Sequence, residues 1–464
     1  MSTLLSHLGR PALWVSFAAC FLFLTISDAE AQQQGEGQIA GVSIDAEGVL
    51  RHQVYPDPTG MLTRERMAAA RATLPPEVAR ASKLRKISLT RLEKAIIANG
   101  GVPTDEMKYL AGLLRVRYVF FYPETKDIVI AGPAEGWRFD LAGRAVGLTS
   151  GRPVILLEHL VVALRAFPPG GEPTELITCS IDPTPEGLAN AQQFLKTLGR
   201  FIPAGTEAAV AQYMAENLRT AVGLQKVTIR GVPADTHFAH ILVEADYRMK
   251  MIGIGLEPPP VRMVTFIDKA SPSTVSRELL VRWWFVPDYQ CVRRSEDGLA
   301  IELVGSGVKL VGEDELVSME GDRQATGRAN PASQAFTTSF TKMYPAIAER
   351  SPVFAQLRNL IDLCVAAAYI QKEDFYGKAE WKMEFFGDES KFAVRTYPAP
   401  KAAPTAVNAL VKRSQVMTPF GGGVEIEAQK ALLPENLLAD PKGEVNKVRE
   451  EIRAQLSTDH WWWD

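Results

Sequence analysis

Between residues 176 and 252 the chain alternates apolar runs of strand length with stretches of helical period, and this order limits its folds more than any other feature. The spacing predicts strands over 176–181 and 226–230 and helices over 185–198, 207–222 and 235–252. Strands interleaved with helices of this length indicate an α/β or α+β layer.

On either side the pattern changes. Residues 116–122 and 128–131 are dense in Val, Ile, Tyr and Phe and flank a polar loop, which predicts a β-hairpin. After Pro258-Pro259-Pro260, short runs at 279–286, 290–293, 299–304 and 308–311 are separated by turn residues, and an antiparallel meander is expected. A helical segment near 331–371 follows, read as helices over 331–343 and 352–371. Strand signals at 381–386 and 392–396, a Pro/Ala linker over 398–404, a strand near 424–426 and an amphipathic helix over 444–456 complete the reading. The fold class is therefore α+β. The divisions are a signal peptide over 1–31, a linker over 32–60, an α/β region over 61–257, a meander and helical region over 258–397, and a linker, short strand and C-terminal helix over 398–464.

The first residues have the zones of a secretory signal: Arg10, an apolar stretch from 12 to 26, and Ala29-Glu30-Ala31 as a small-x-small cleavage pattern. The apolar stretch falls short of the roughly 20 residues that span a bilayer, so cleavage before Gln32 and release of a mature chain are expected. No other apolar stretch is read as membrane-spanning. Cleavage leaves 50 basic against 52 acidic residues, a balance with no global attraction for nucleic acid or anionic lipid. The expected location is the periplasm or cell envelope.

Cys179, Cys291 and Cys364 remain, and Cys179 with Cys291 is the pair expected if a disulfide forms, since Cys364 lies in an apolar helical run. Nine Lys or Arg against three Glu between Arg64 and Lys94 read as a solvated helical face that could instead hold an anionic envelope polymer.

The helix over 235–252 carries the sharpest candidate for chemistry. Phe238, Ile241, Leu242, Ala245, Met249 and Ile252 share one face, which leaves His237, His240 and Glu244 together opposite it, a spacing able to bind a divalent metal. The zincin pattern would place Glu directly after the first His, where this chain has Phe238. Glu244 with Arg248 and Asp246 with Lys250 are also i, i+4 ion pairs, so the plainer reading is a solvated, structural face. Ser339 and Lys342 have the Ser-x-x-Lys spacing of penicillin-binding enzymes, but the companion Lys-Thr-Gly element is missing from the sequence. Gly421-Gly422-Gly423 and Gly253-Ile254-Gly255 read as turns rather than phosphate loops. Trp461, Trp462 and Trp463 would expose a large apolar surface, so they are expected to dock, with the helix before them, on this chain or on a partner.

The stretch Glu244-Ala245-Asp246-Tyr247-Arg248-Met249-Lys250, continuing through Gly253-Ile254-Gly255-Leu256-Glu257-Pro258, resembles an uncharacterised family of exported planctomycete proteins defined by a domain of unknown function. Gly132-Pro133-Ala134-Glu135-Gly136-Trp137, Ser180-Ile181-Asp182-Pro183-Thr184-Pro185-Glu186-Gly187 and Arg282-Trp283-Trp284-Phe285-Val286-Pro287 extend the resemblance over about residues 85–430. It implies export and shared architecture, and no activity or catalytic residues. The leading expectation is an exported, non-catalytic protein with a binding or structural role, no cofactor, and an envelope polymer or protein as partner. The alternative is an envelope hydrolase assisted by a metal at His237, His240 and Glu244. Only five histidines lie beyond residue 31, and no Ser or Cys has a recognisable base beside it, which favours binding.

Overall fold

The helix His237–Gly253 packs against elements from both halves of the chain. The computed structural model describes residues 38–197, 205–271, 279–318, 320–408, 421–456 and 460–464; the expected signal peptide lies outside them. Thr236 caps the helix by accepting the Ala239 amide. At its other end Gly253 lets the Trp283 ring close in, because a Cβ there would meet the indole at 2.6 Å. The six apolar residues of the expected inner face are all buried. On the opposite face Glu244 is buried and His237 and His240 are half-buried, so the reading of a solvated face is corrected. Glu244, Asp246, Arg248 and Lys250 keep their charges inside by pairing: Lys250 with Asp246 at 2.8 Å and Arg248 with Glu257 at 2.6 Å.

This helix lies on a mixed seven-stranded sheet whose order is Arg323–Ala325, Val308–Val317, Leu279–Pro287, Gly421–Ile426, Ile177–Asp182, Leu224–Arg230 and Ala402–Pro404. All neighbours are antiparallel except Leu279–Pro287 and Gly421–Ile426, which run parallel. Glycines let Gly421–Ile426 fit between its two neighbours: a Cβ on Gly422 would lie 1.8 Å from the Trp283 carbonyl oxygen on the parallel side, and one on Gly423 1.8 Å from that of Cys179 on the antiparallel side. The glycine triplet is therefore a strand packed between two backbones, not a turn.

A second seven-stranded sheet has the order Leu437–Leu438, Val292–Arg294, Ala300–Leu303, Tyr118–Tyr122, Asp127–Ala134, Ser82–Ser88 and Trp462–Trp463. The hairpin expected around 123–127 is its centre. The four strands expected as one meander are dealt to both sheets: the outer two pair with each other in the first and the inner two in the second. Turn residues mark where strands end, and the choice of partner is made by packing.

Pro352–Lys372 packs against His237–Gly253 and is buried along nearly its whole length. It is long and apolar enough to cross a membrane, which the expectation of no further apolar stretch of that length missed, and its burial fits a core helix. The overall class is α+β, as expected.

Several stretches read as irregular carry structure. Within 32–60, Gln38–Ile44 and Leu50–Pro56 form an antiparallel hairpin. Ala402–Pro404, inside the expected Pro/Ala linker, closes one edge of the first sheet. Conversely, 381–386 and 392–396 form turns and loop rather than strands. All three described cysteines are free and buried, so the Cys179–Cys291 disulfide is not formed.

Candidate functional site

The helix Leu157–Ala166, which the sequence reading passed over, brings its first turn up to the first turn of His237–Gly253. Glu158 and His159 come from one helix and His237 from the other. The Nε2 of His159 lies 2.9 Å from the Nδ1 of His237, with the rings stacked at 5.0 Å. Glu158 Oε1 stands 3.6 Å from the same His237 nitrogen. Donor atoms of all three residues fall within 4.8 Å of one another.

Glu158 and His237 form one wall of a cavity of about 710 Å³, with His159 buried behind them. Tyr109, Phe139 and Phe392 give it an aromatic rim, and Arg144, Arg395 and Tyr397 contribute polar groups. Arg395 stacks over the Tyr397 ring at 4.9 Å, and the Tyr397 hydroxyl donates to Glu158. Concave, largely apolar sites with a few converging polar groups are the usual shape of small-molecule sites.

The electrostatics are unusual for three ordinary residues. Burial pushes the Glu158 carboxyl up to about 7, against the pull of the Arg395 charge and the Tyr397 hydrogen bond. Burial and the nearby His240 push His237 down to about 4, and burial with its His237 neighbour holds His159 well below the ordinary imidazole range. Both rings are thus neutral near pH 7. Shifted titrations clustered in one cavity are a recognised mark of functional sites.

The trio expected from helical spacing does not assemble. His240 Nε2 donates to the Pro398 carbonyl at 2.8 Å. Glu244 accepts from Arg144 at 2.5 Å and from Arg248 at 3.4 Å, so its carboxylate is committed to two guanidiniums. Only His237 of the three faces the cavity. Helical spacing shows which side chains share a face, but it cannot show that a second helix supplies their partners. A signal was present: Glu158-His159 is an adjacent acid and imidazole in a chain with six histidines.

The other candidates have structural occupations. Ser339 Oγ accepts the Val264 amide at 2.9 Å, which leaves the Ser-x-x-Lys match without a catalytic setting. Trp283, in one of the stretches that carry the resemblance, is buried and donates to Ser333 at 2.7 Å. From the basic run, Arg85 and Lys86 are buried in Ser82–Ser88 rather than lying on a solvated helix.

No curated protein and no solved structure matches the chain. The family described as "Protein of unknown function (DUF1598)" matches residues 179–266, a stretch that contains His237 but neither Glu158, His159 nor Arg395. A DUF1598 domain, of unknown function, is therefore found at residues 179–266.

Proposed function

We propose that this chain is an exported protein of the periplasm or cell envelope that binds a small anionic molecule in the cavity beside His237. The observation that carries the reading is the cavity of about 710 Å³, lined by the first turns of two helices and by Arg395. Helix N-termini present unpaired amides and a partial positive charge, and a guanidinium beside them suits a carboxylate or phosphate. The aromatic rim formed by Tyr109, Phe139 and Phe392 suits an apolar portion of the same ligand. Export is supported by the charged, apolar and Ala29-Glu30-Ala31 zones of the first residues and by the resemblance to exported proteins.

Thermal melting of the purified chain against a panel of small carboxylates and phosphates tests the binding role. A true ligand at a hundred times its Kd stabilises by about 2.7 kcal/mol. That shift disappears in Arg395→Ala. A panel without any stabilising member, or equal shifts in Arg395→Ala, refutes this reading.

A second reading, an envelope hydrolase, has the Glu158, His159 and His237 cluster in its favour. Hydrolysis of p-nitrophenyl phosphate or acetate that is lost in Glu158→Gln would select it over simple binding.

A further inference from the structure

Two histidine nitrogens at 2.9 Å need something between them. If both point lone pairs at each other they repel, so either one carries a proton that the other accepts, or both donate to a cation. A tetrahedral zinc ion with ligands at about 2.0–2.1 Å places neighbouring donors roughly 3.4 Å apart. The His159 to His237 spacing of 2.9 Å and the His237 to Glu158 spacing of 3.6 Å bracket that value. Small side-chain rotations would equalise them.

We propose that Glu158, His159 and His237 form a binding site for one divalent first-row transition metal ion, zinc by its donor set, at the wall of the cavity. Two imidazoles and one carboxylate are a ligand set that zinc accepts with a fourth position left open. Here the fourth position faces the cavity, since Glu158 and His237 both line it.

The surroundings supply what a metal site needs beyond its ligands. The Tyr397 hydroxyl holds the Glu158 carboxylate, as outer groups orient metal-bound carboxylates elsewhere. His159 is fixed between the His237 ring and the edge of Phe238, whose centroid is 6.4 Å away. Each ligand sits in the first turn of a regular helix rather than on a loop, so its backbone is held. Arg395 opposes the ion electrostatically, but it is exposed, and beside a bound cation it would hold an anion at the open position. The site stands on its own geometry and does not depend on whether the cavity takes the anion proposed above.

The test uses the whole purified chain, stripped with a chelator that is then removed. Cobalt(II) is added and its visible d–d absorption recorded, followed by competition with zinc. The expected result is a four-coordinate cobalt spectrum saturating at one equivalent and displaced by one equivalent of zinc. Glu158→Gln and His237→Ala lose the spectrum at the same cobalt concentration, and Tyr397→Phe weakens binding roughly tenfold. His240→Ala keeps it. Circular dichroism melting of each variant separates loss of the site from loss of the fold, and Glu158→Gln, the closest to isosteric, decides if His237→Ala does not fold. Absence of the cobalt spectrum in the wild-type chain overturns the proposal. So does its persistence in folded Glu158→Gln, or its loss in folded His240→Ala. Because the readout is metal binding without any organic ligand, a failed anion panel leaves this result standing, and the reverse also holds.

Discussion

The guanidinium of Arg85 grips the carboxylate of Asp464 with two hydrogen bonds, 2.8 and 2.9 Å long, across 379 positions of sequence. Arg85 is fully buried, and its remaining donors reach the carbonyls of Glu77, Val78, Arg80 and Ala111. Beside this pair Trp462 and Trp463 add an edge strand to Ser82–Ser88, with Trp462 under the Arg85 guanidinium at 4.5 Å. The tryptophan stretch therefore docks on its own chain. The helix Glu444–Arg453 does the same: Val445 and Ile452 cover Phe120 and Tyr122 on the second sheet.

Removing the far end of that pair strands a buried cation. Asp464→Ala is expected to cost about 3 kcal/mol, the lower end for breaking a buried pair, because four carbonyls still solvate Arg85. Truncation after residue 456 removes the edge strand as well and lowers the melting temperature further. Urea unfolding and thermal melting of both variants measure this, and an unchanged melting temperature after truncation would show that the tail contributes nothing.

Acid should attack the same region. Burial would raise Asp127, yet hydrogen bonds from Arg91, Ser88 and Thr125 hold it below its ordinary value near 3.8, and Arg85 and Ser82 do likewise for Asp464. Carboxyls with a depressed folded pKa add stability that is complete above the unfolded value and is lost as pH falls through the folded one. Unfolding free energy is thus expected to drop below about pH 4, and Asp127→Asn should flatten that drop while lowering stability at pH 7. An identical slope in the variant would sink the assignment.

The parts of this fold that were legible in sequence are those fixed by local periodicity. The helices at 185–198, 207–222, 235–252 and 352–371 and the hairpin around 123–127 fall within a few residues of their expected places. Partnership was not legible. Nothing near Arg85 says that Asp464 will meet it, so a buried strand with an ion pair read as part of a basic surface. Nothing in the spacing of His237, His240 and Glu244 says that Arg144 will take the carboxylate, Pro398 one ring and His159 the other. Each of these is a contact between segments distant in sequence, and a helical or strand period carries no information about what it will face.

Gly422 tests the close packing of the first sheet. Its φ is +146°, and a Cβ would overlap the Trp283 carbonyl oxygen at 1.8 Å. Since the Trp283 backbone cannot retreat without parting the strands, Gly422→Ala is expected to cost about 3 kcal/mol or more. Gly100 is the control: it also has positive φ but nothing within 4 Å of its would-be Cβ, so Gly100→Ala should cost only about 1–2 kcal/mol. Comparable losses in the two variants would mean that the sheet relaxes around Gly422.

Leu242, fully buried on the apolar face of the central helix, gives the scale for ordinary core loss there. Leu242→Ala is expected to cost about 2–5 kcal/mol, according to how far the site collapses. A change under 1 kcal/mol, on the order of a surface substitution, would contradict the burial of that face.

The buried pair on the same helix should respond differently, in kind as well as in size. Lys250 Nζ donates to Asp246 at 2.8 Å and to the Ile181 carbonyl at 2.7 Å, while the second Asp246 oxygen, Oδ1, has no hydrogen-bond partner among the described residues. Burial already holds the Asp246 carboxyl above its ordinary range with Lys250 alongside. Lys250→Met removes the main attraction opposing that burial and leaves only the weaker pull of Arg282, so Asp246 rises further and is carried protonated. A carboxyl whose folded pKa exceeds its unfolded one stabilises when protonated, and that stability is lost as pH rises through the folded value. Lys250→Met should therefore be least destabilising near pH 5 and increasingly so toward pH 8, the reverse of the acid sensitivity at Asp127. Losing one partner of a buried pair costs about 3–5 kcal/mol once the other is charged, whereas replacing both, as in Asp246→Leu with Lys250→Met, should recover most of it. Unfolding curves from pH 5 to 8 decide the matter, and a single variant whose loss is flat across that range would show that Asp246 is not dependent on Lys250.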